Sequence, residues 1–208
     1  MKSDYFHKIN TEEKAYWLGF ILGDGNLQHF TSYRVTIDLK KSDSVHLTKF
    51  AKALDLDRKV TYYRNAARMV VHNKQLYNDL LALGLTPNKS LTAKWPKIPK
   101  KHEIHMLRGL FDADGSIYNQ EHYLGTVCSN FSIVGTKHIL ENVKRVLKLD
   151  NRIRPLGNVW RVSRGGNPAV LKIYSKLYKK ATVWLDRKRD RFIDYLKLAD
   201  ISVTAGAL

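Results

Sequence analysis

Cysteine is almost missing from this 208-residue chain, with Cys128 standing alone. A single thiol closes no intramolecular disulfide and excludes a cysteine-based zinc site. Long apolar stretches are missing as well. No run approaches the roughly 18 residues that a membrane-spanning helix needs, so no membrane partner is expected. The opening MKSDYFHKIN lacks the apolar segment of an export signal and carries Asp4. The expected setting is therefore intracellular rather than secreted, in a bacterial or phage-infected cytoplasm or an organelle. Acidic residues are scarce too: 19 Asp plus Glu stand against 36 Lys plus Arg, leaving a formal charge of +17. Such self-repulsion is best tolerated beside a polyanion. Duplex DNA fits, because lysine and arginine release the counterions held by its phosphates. Charge alone admits RNA equally. The basic residues are spread along the chain instead of gathered in a tail, which favours a folded basic surface.

What the chain does have is a repeat. Tyr16-Trp17-Leu18-Gly19-Phe20-Ile21-Leu22-Gly23-Asp24-Gly25 runs parallel to Met106-Leu107-Arg108-Gly109-Leu110-Phe111-Asp112-Ala113-Asp114-Gly115. Both segments end a helical pattern. Asn10 with Glu13 suggests a capping box opening the first helix, and Pro99 stands where the second can begin. Each motif is followed by a strand-like stretch, Tyr33 to Lys40 in one half and Asn130 to Val134 in the other. A helix follows each, Asp43 to Leu56 and Thr136 to Leu149. Two short strands come next, Lys59–Arg64 with Arg68–His72, then Arg152–Arg154 with Val159–Val162. Leu76–Leu80 parallels Ile173–Leu177, with Asn167 and Pro168 as a cap and first-turn pair. A last helix, Asp186 to Leu198, belongs to the second half alone.

Each half therefore reads αββαββα, and the expected fold is α+β with two pseudo-symmetric halves. The expected organisation is residues 1–93, a linker at 94–100 stiffened by Pro96 and Pro99, residues 101–200, and a tail at 201–208.

Small residues recur four apart in both motifs, Gly19 with Gly23 and Gly109 with Ala113. Facing stripes of this kind let two helix backbones approach closely. Gly25 and Gly115 suggest left-handed helix caps. Asp24 and Asp114, on the last turn of each helix, are then brought side by side. Two carboxylates at helix C-termini are electrostatically misplaced, since the dipole there is already negative. A divalent cation between them removes the misfit, and Mg²⁺ takes one or two carboxylates, water and phosphate oxygens. The backbone carbonyls of Gly23 and Ala113 are candidate further ligands.

The two decapeptides resemble the LAGLIDADG motif, the second closely, and the resemblance runs over almost the whole chain to the single-chain, two-motif homing endonucleases. It implies antiparallel sheets forming a saddle over DNA. It also implies a site-specific endonuclease, active as a monomer without an obligate protein partner, on a long, imperfectly palindromic duplex. One phosphodiester on each strand is cut across the minor groove, in the service of intron mobility. The resemblance assigns metal binding to Asp24 and Asp114, with Mg²⁺ as cofactor, Mn²⁺ able to substitute, and Ca²⁺ binding without cleavage. It places a lysine of each half, Lys89 and Lys188, near the site, where it can polarise water or offset charge. An RNA maturase, or a DNA-binding regulator with a silent site, would share this fold. Intact Asp24 and Asp114 weigh against the regulator.

The strand pattern supplies candidate DNA contacts. Arg34, Thr36, Asp38 and Lys40 alternate with Val35, Ile37 and Leu39, and Lys59, Thr61 and Tyr63 alternate with Val60 and Tyr62. Arg68, Asn130, Ser132, Arg152, Arg154 and Arg161 extend the polar face, where Arg and Lys can read guanine. Lys40, Lys41 and Lys137, at the starts of the following helices, suit phosphates. Asp112 has no acidic partner, because Leu22 occupies its place in the first half, and reads as structural. His102 and His105 read as an exposed pair without a third metal ligand, and Arg164-Gly165-Gly166 as a loop. Trp17, Trp160 and Trp184 are expected in the core.

Overall fold

The computed structural model describes residues 1–57, 60–121 and 127–198. In chain order the elements are α1 (Glu12–Asp24), β1 (Gly25–His29), β2 (Tyr33–Lys40), α2 (Ser44–Ala53), β3 (Thr61–Tyr63), β4 (Ala66–His72) and α3 (Lys74–Ala82). The second half repeats them as α4 (Glu103–Asp114), β5 (Ser116–Glu121), β6 (Val127–Gly135), α5 (Lys137–Leu147), β7 (Arg154–Leu156), β8 (Val159–Gly165) and α6 (Asn167–Tyr178), then adds α7 (Asp186–Leu198). The expected α+β pair of αββαββα halves is the observed one. Two antiparallel sheets carry the same order, β1-β2-β4-β3 and β5-β6-β8-β7. Registers match as well: Thr36 pairs with Asn26 and Val70, and Ser132 with Ser116 and Ser163. No helix among the described residues is long and apolar enough to cross a membrane.

Helices α1 and α4 form the spine. From Ala15 to Leu22 every residue of α1 is buried, as expected of a helix apolar on nearly all sides. The contact is backbone to backbone. A Cβ on Gly19 would lie 1.8 Å from the Met106 carbonyl oxygen, and one on Gly109 would lie 2.0 Å from that of Tyr16. A methyl group at either position forces the helices apart.

The spine also carries buried polar ties between the halves. Asp112 accepts hydrogen bonds from Tyr16 Oη (2.8 Å), Tyr178 Oη (2.5 Å) and the Leu185 amide (2.7 Å), which fits its structural role. Burial pushes its pKa up to about 6 against those three donors. His46 Nε2 lies 2.8 Å from the same Tyr16 oxygen. The one tyrosine proton goes to Asp112, so the histidine ring carries its hydrogen on Nε2. Burial holds its pKa down to about 3, keeping it neutral. Arg108, 1% exposed, donates to Glu12 and to the carbonyls of Val183 and Leu177.

Several local expectations change. Thr11, not Asn10, caps α1 by accepting from the Lys14 amide, and Glu13 accepts from Tyr5 Oη instead of closing a capping box. Gly25 (φ −78°) and Gly115 (φ −73°) are extended, not left-handed. Their lack of a side chain serves space: a Cβ would meet the carbonyl oxygens of Ile21 and Phe111 at 2.5 Å. The chain thus passes directly from α1 into β1 and from α4 into β5, two strands the sequence pattern left unplaced. Gly166 caps α6, while Asn167 turns back to accept from the Ser129 amide and donate to the Val127 carbonyl. Arg164 and Gly165 lie in β8 instead of a loop. His102 is buried, not exposed. Trp17 is fully buried, with Trp160 and Trp184 packed against the core. The expected tail at 201–208 and Lys59 lie outside the described residues.

Candidate active site

Asp24 and Asp114 end α1 and α4. The glycine contact brings these ends together, and the approach is still close at Gly23, where a Cβ would sit 2.4 Å from Ala113 Cβ and 3.0 Å from Asp114 Oδ2. The carboxylate of one half therefore lies over the helix end of the other. Burial, then repulsion from Asp114, pushes the Asp24 pKa up to about 6, although Lys188, Lys89 and Arg187 pull the other way. Burial raises Asp114 as well, while Lys89 and Lys188 oppose it. Among the described residues neither carboxylate accepts a hydrogen bond or closes an ion pair. Two neighbouring, partnerless carboxylates at negative helix ends concentrate a charge that a cation would balance.

Lys89 and Lys188 do reach this site. Both are buried, at 8% and 9% exposure. Lys89 Nζ donates to the carbonyls of Gly25 and, at 3.4 Å, Gly23. Lys188 Nζ donates to the carbonyl of Gly115. Each ammonium thus covers the carbonyl end of the motif helix in its own half. Burial lowers the pKa of both; Asp114 and Asp24 partly restore Lys89, and Arg187 depresses Lys188 further. The flanking clefts are crossed. Asp114 shares one with Lys89 and Val134, and Asp24 shares the other with Asp38 and Arg187.

No cluster of three or more His, Cys, Asp or Glu is present among the described residues. The side chains that could hold a metal are the two carboxylates; of the expected backbone ligands, the Gly23 carbonyl already accepts from Lys89 Nζ. That set is all oxygen and leaves most of a shell to water or substrate, which suits a hard cation such as Mg²⁺ better than Zn²⁺.

The pleat sorts the expected contact residues. Antiparallel pairing puts Arg34, Thr36, Asp38, Lys40, Arg68, Thr61 and Tyr63 on one face of the first sheet. Asn130, Ser132, Arg154 and Arg161 share the corresponding face of the second. Thr36 and Ser132 sit at its centre and are buried, 7% exposed each, so their hydroxyls are not open contacts. Arg68 is committed to Asp38 through two bonds of 2.6 and 3.0 Å. Tyr62 and Tyr63 are both exposed, because β3 is an edge strand without a buried side. Arg152 lies just ahead of β7, and Lys137, the first residue of α5, stacks its ammonium over Trp160.

No protein-family model matches the sequence, and no curated protein matches it. The fold does match solved structures. The LAGLIDADG meganuclease I-AabMI bound to uncleaved DNA superposes at TM-score 0.67, with 14% identity and 89% of each chain covered. The I-LtrWI LAGLIDADG homing endonuclease bound to target DNA gives 0.64 at 14% identity, over 95% of this chain and 90% of that one. I-SmaMI bound to uncleaveable DNA gives 0.68 at 11% identity, over 89% of each. The chain has the LAGLIDADG meganuclease fold.

Within that fold, further side chains join the sheet face through the strands that the sequence pattern left unplaced. Asn26 and Gln28 of β1 sit beside Thr36 and Arg34, and Ser116, Tyr118 and Gln120 of β5 beside Ser132, Asn130 and Cys128. His72 and Ser163 complete the rows. The signal was available: the residue after each motif glycine begins a polar–apolar alternation, Asn26-Leu27-Gln28 and Ser116-Ile117-Tyr118.

Proposed function

We propose that the protein is a sequence-specific double-strand DNA endonuclease that hydrolyses one phosphodiester on each strand with a divalent cation, Mg²⁺ by preference, at Asp24 and Asp114. The observation that carries this reading is the pair of carboxylates, partnerless among the described residues, held over the junction of two matched sheets. Structural stability alone gives no reason to put them there. The DNA-bound neighbours of the same fold support duplex DNA as substrate.

The chain's own groups divide the work. Asp24 and Asp114 would hold the cation, with the Gly23 and Ala113 carbonyls as candidate further ligands. When bound, it supplies charge neutralisation and a water of lowered pKa. Lys89 and Lys188, fixed by the helix-end carbonyls, place positive charge beside the site and help offset charge on the reacting phosphate. The two sheet faces contact successive half-sites of an extended, imperfectly palindromic duplex, Arg34, Lys40, Asn130, Arg154 and Arg161 among the readers. Arg68 and Asp38 act there as one coupled pair. The α1–α4 spine keeps the clefts at fixed separation, so a single chain acts on both strands without a second copy. Intron mobility is the biological use we assign to such cuts.

Incubating the protein with a randomised duplex pool and Mg²⁺, then sequencing cut ends, tests the proposal. A single recurrent motif flanking double-strand ends is expected. Cleavage of RNA alone would replace this reading.

A further inference from the structure

The two clefts beside the aspartates occupy equivalent places but are not chemically equivalent. The matched registers make Asp38 the counterpart of Val134, and Ala66 that of Val159. The Asp24 cleft, about 590 Å³, is lined by Asp38, Lys40, Asp43, Arg64 and Arg187. The Asp114 cleft, about 220 Å³, is lined mainly by apolar groups, with Lys89 its one basic residue. The difference centres on Arg187, at the start of the helix that only the second half has. Its sequence counterpart beside Lys89 is Asn88.

Arg187 is held from across the halves. Its Nε lies 3.2 and 2.9 Å from the two oxygens of Asp43, and Nη2 lies 2.9 Å from one of them. Asp43 is buried, 5% exposed, while Arg187 keeps 39% of its side-chain surface open. Among the described residues Nη1 has no partner. A guanidinium anchored on one edge, open on another and facing a cleft with a metal-suited carboxylate is preorganised for a phosphate oxygen.

We propose that Arg187 is a phosphate-positioning residue for one DNA strand only, the strand whose scissile phosphate lies at the Asp24 cleft, and that the two strands are therefore cut at unequal rates. The inference rests on the endonuclease reading. The competing explanation is that Arg187 and Asp43 merely pin α7 to the first half.

The test begins from a duplex selected for binding out of a randomised pool, in metal-free buffer. Single methylphosphonates are placed at each position of either strand, and affinity is measured for the wild type, Arg187→Met and Arg187→Lys. The wild type should lose about tenfold at one phosphate beside one cut position, with no mirror-related partner on the other strand. Arg187→Met should lose that sensitivity and no other. Arg187→Lys should keep part of it, because the charge remains and the fork is lost. With Mg²⁺ and differently labelled strands, Arg187→Met should slow one strand at least about tenfold more than the other, and nicked duplex should accumulate. That is modest against the roughly 10²–10³-fold lost when one charge-stabilising donor is removed. Equal slowing of both strands, or an unchanged interference pattern, overturns the inference and leaves the endonuclease reading standing. A wild type that binds but never cuts overturns that reading, while the interference pattern still decides whether Arg187 touches one strand. No selectable duplex at all would overturn both.

Discussion

Replacing Asp24 with asparagine should make the metal-free protein more stable while removing its response to divalent cation. The carboxyl is pushed up to about 6 from an ordinary 3.8. Each tenfold weakening of an acid on folding corresponds to about 1.36 kcal/mol, so the ionised form costs the native state at most about 3 kcal/mol. Solvent at the cleft mouth screens part of this, and the expected gain for Asp24→Asn is about 1–3 kcal/mol. For a chain of this size that is a rise in Tm of roughly 2–12 °C. The sign follows from linkage. Near pH 4 and below, the carboxyl is largely protonated in the native state and costs little. Between about pH 4 and 6 the unfolded chain releases its proton first, so wild-type stability falls as pH rises; above that the penalty is constant. The difference between variant and wild type should therefore open across this window and plateau. Melts followed by circular dichroism in excess chelator, at pH 4 and above pH 7, read it directly. Added Mg²⁺ should raise the wild-type Tm and leave the variant nearly unmoved. A variant no more stable than wild type above pH 7, or a difference independent of pH, would refute the electrostatic reasoning.

Other expectations are as definite. Gly19→Ala should cost about 3 kcal/mol or more in denaturant unfolding, since its methyl meets backbone 1.8 Å away; a loss below about 1 kcal/mol would mean the helices are not in backbone contact. Asp112→Leu, which copies Leu22, leaves two buried tyrosine hydroxyls and an amide without their acceptor and should cost about 3 kcal/mol or more, measured the same way. Lys89→Met and Lys188→Met should each slow one strand by about 2–4 kcal/mol of barrier, on opposite strands in a two-colour assay. Affinity for duplex should fall with salt at a log–log slope near −7 if about 8 phosphates are neutralised, and a slope shallower than about −2 would remove the basic surface from the account.

The site was more legible than the strands around it. A glycine stripe that ends in an aspartate, repeated, dictates helix pairing and carboxylate juxtaposition by sterics alone, and both are observed. Helix α7 was legible as well, with Asp186 in its first turn and Phe192 and Leu196, four apart, on its buried side. Strands β1 and β5 were not. They begin at or just after the glycine that follows the aspartate, and a glycine beside a helix end suggests a left-handed stop when its true role is clearance past Ile21 or Phe111. Burial at the sheet centre was hidden for a similar reason. Alternation places Thr36 and Ser132 on the outer face, but only the tertiary fold shows them covered. The Arg187–Asp43 pair joins residues 144 apart in sequence, a separation at which no local pattern operates.

The central claim is that Asp24 and Asp114 form a hydrolytic metal centre instead of a structural turn. It is tested most directly with the double variant Asp24→Asn/Asp114→Asn on a duplex that the wild type cuts. Metal-free binding should stay within a few-fold of wild type, because phosphate contacts elsewhere supply much of the affinity, while cleavage with Mg²⁺ falls below detection on both strands. Cleavage by the double variant at near wild-type rate would contradict the account.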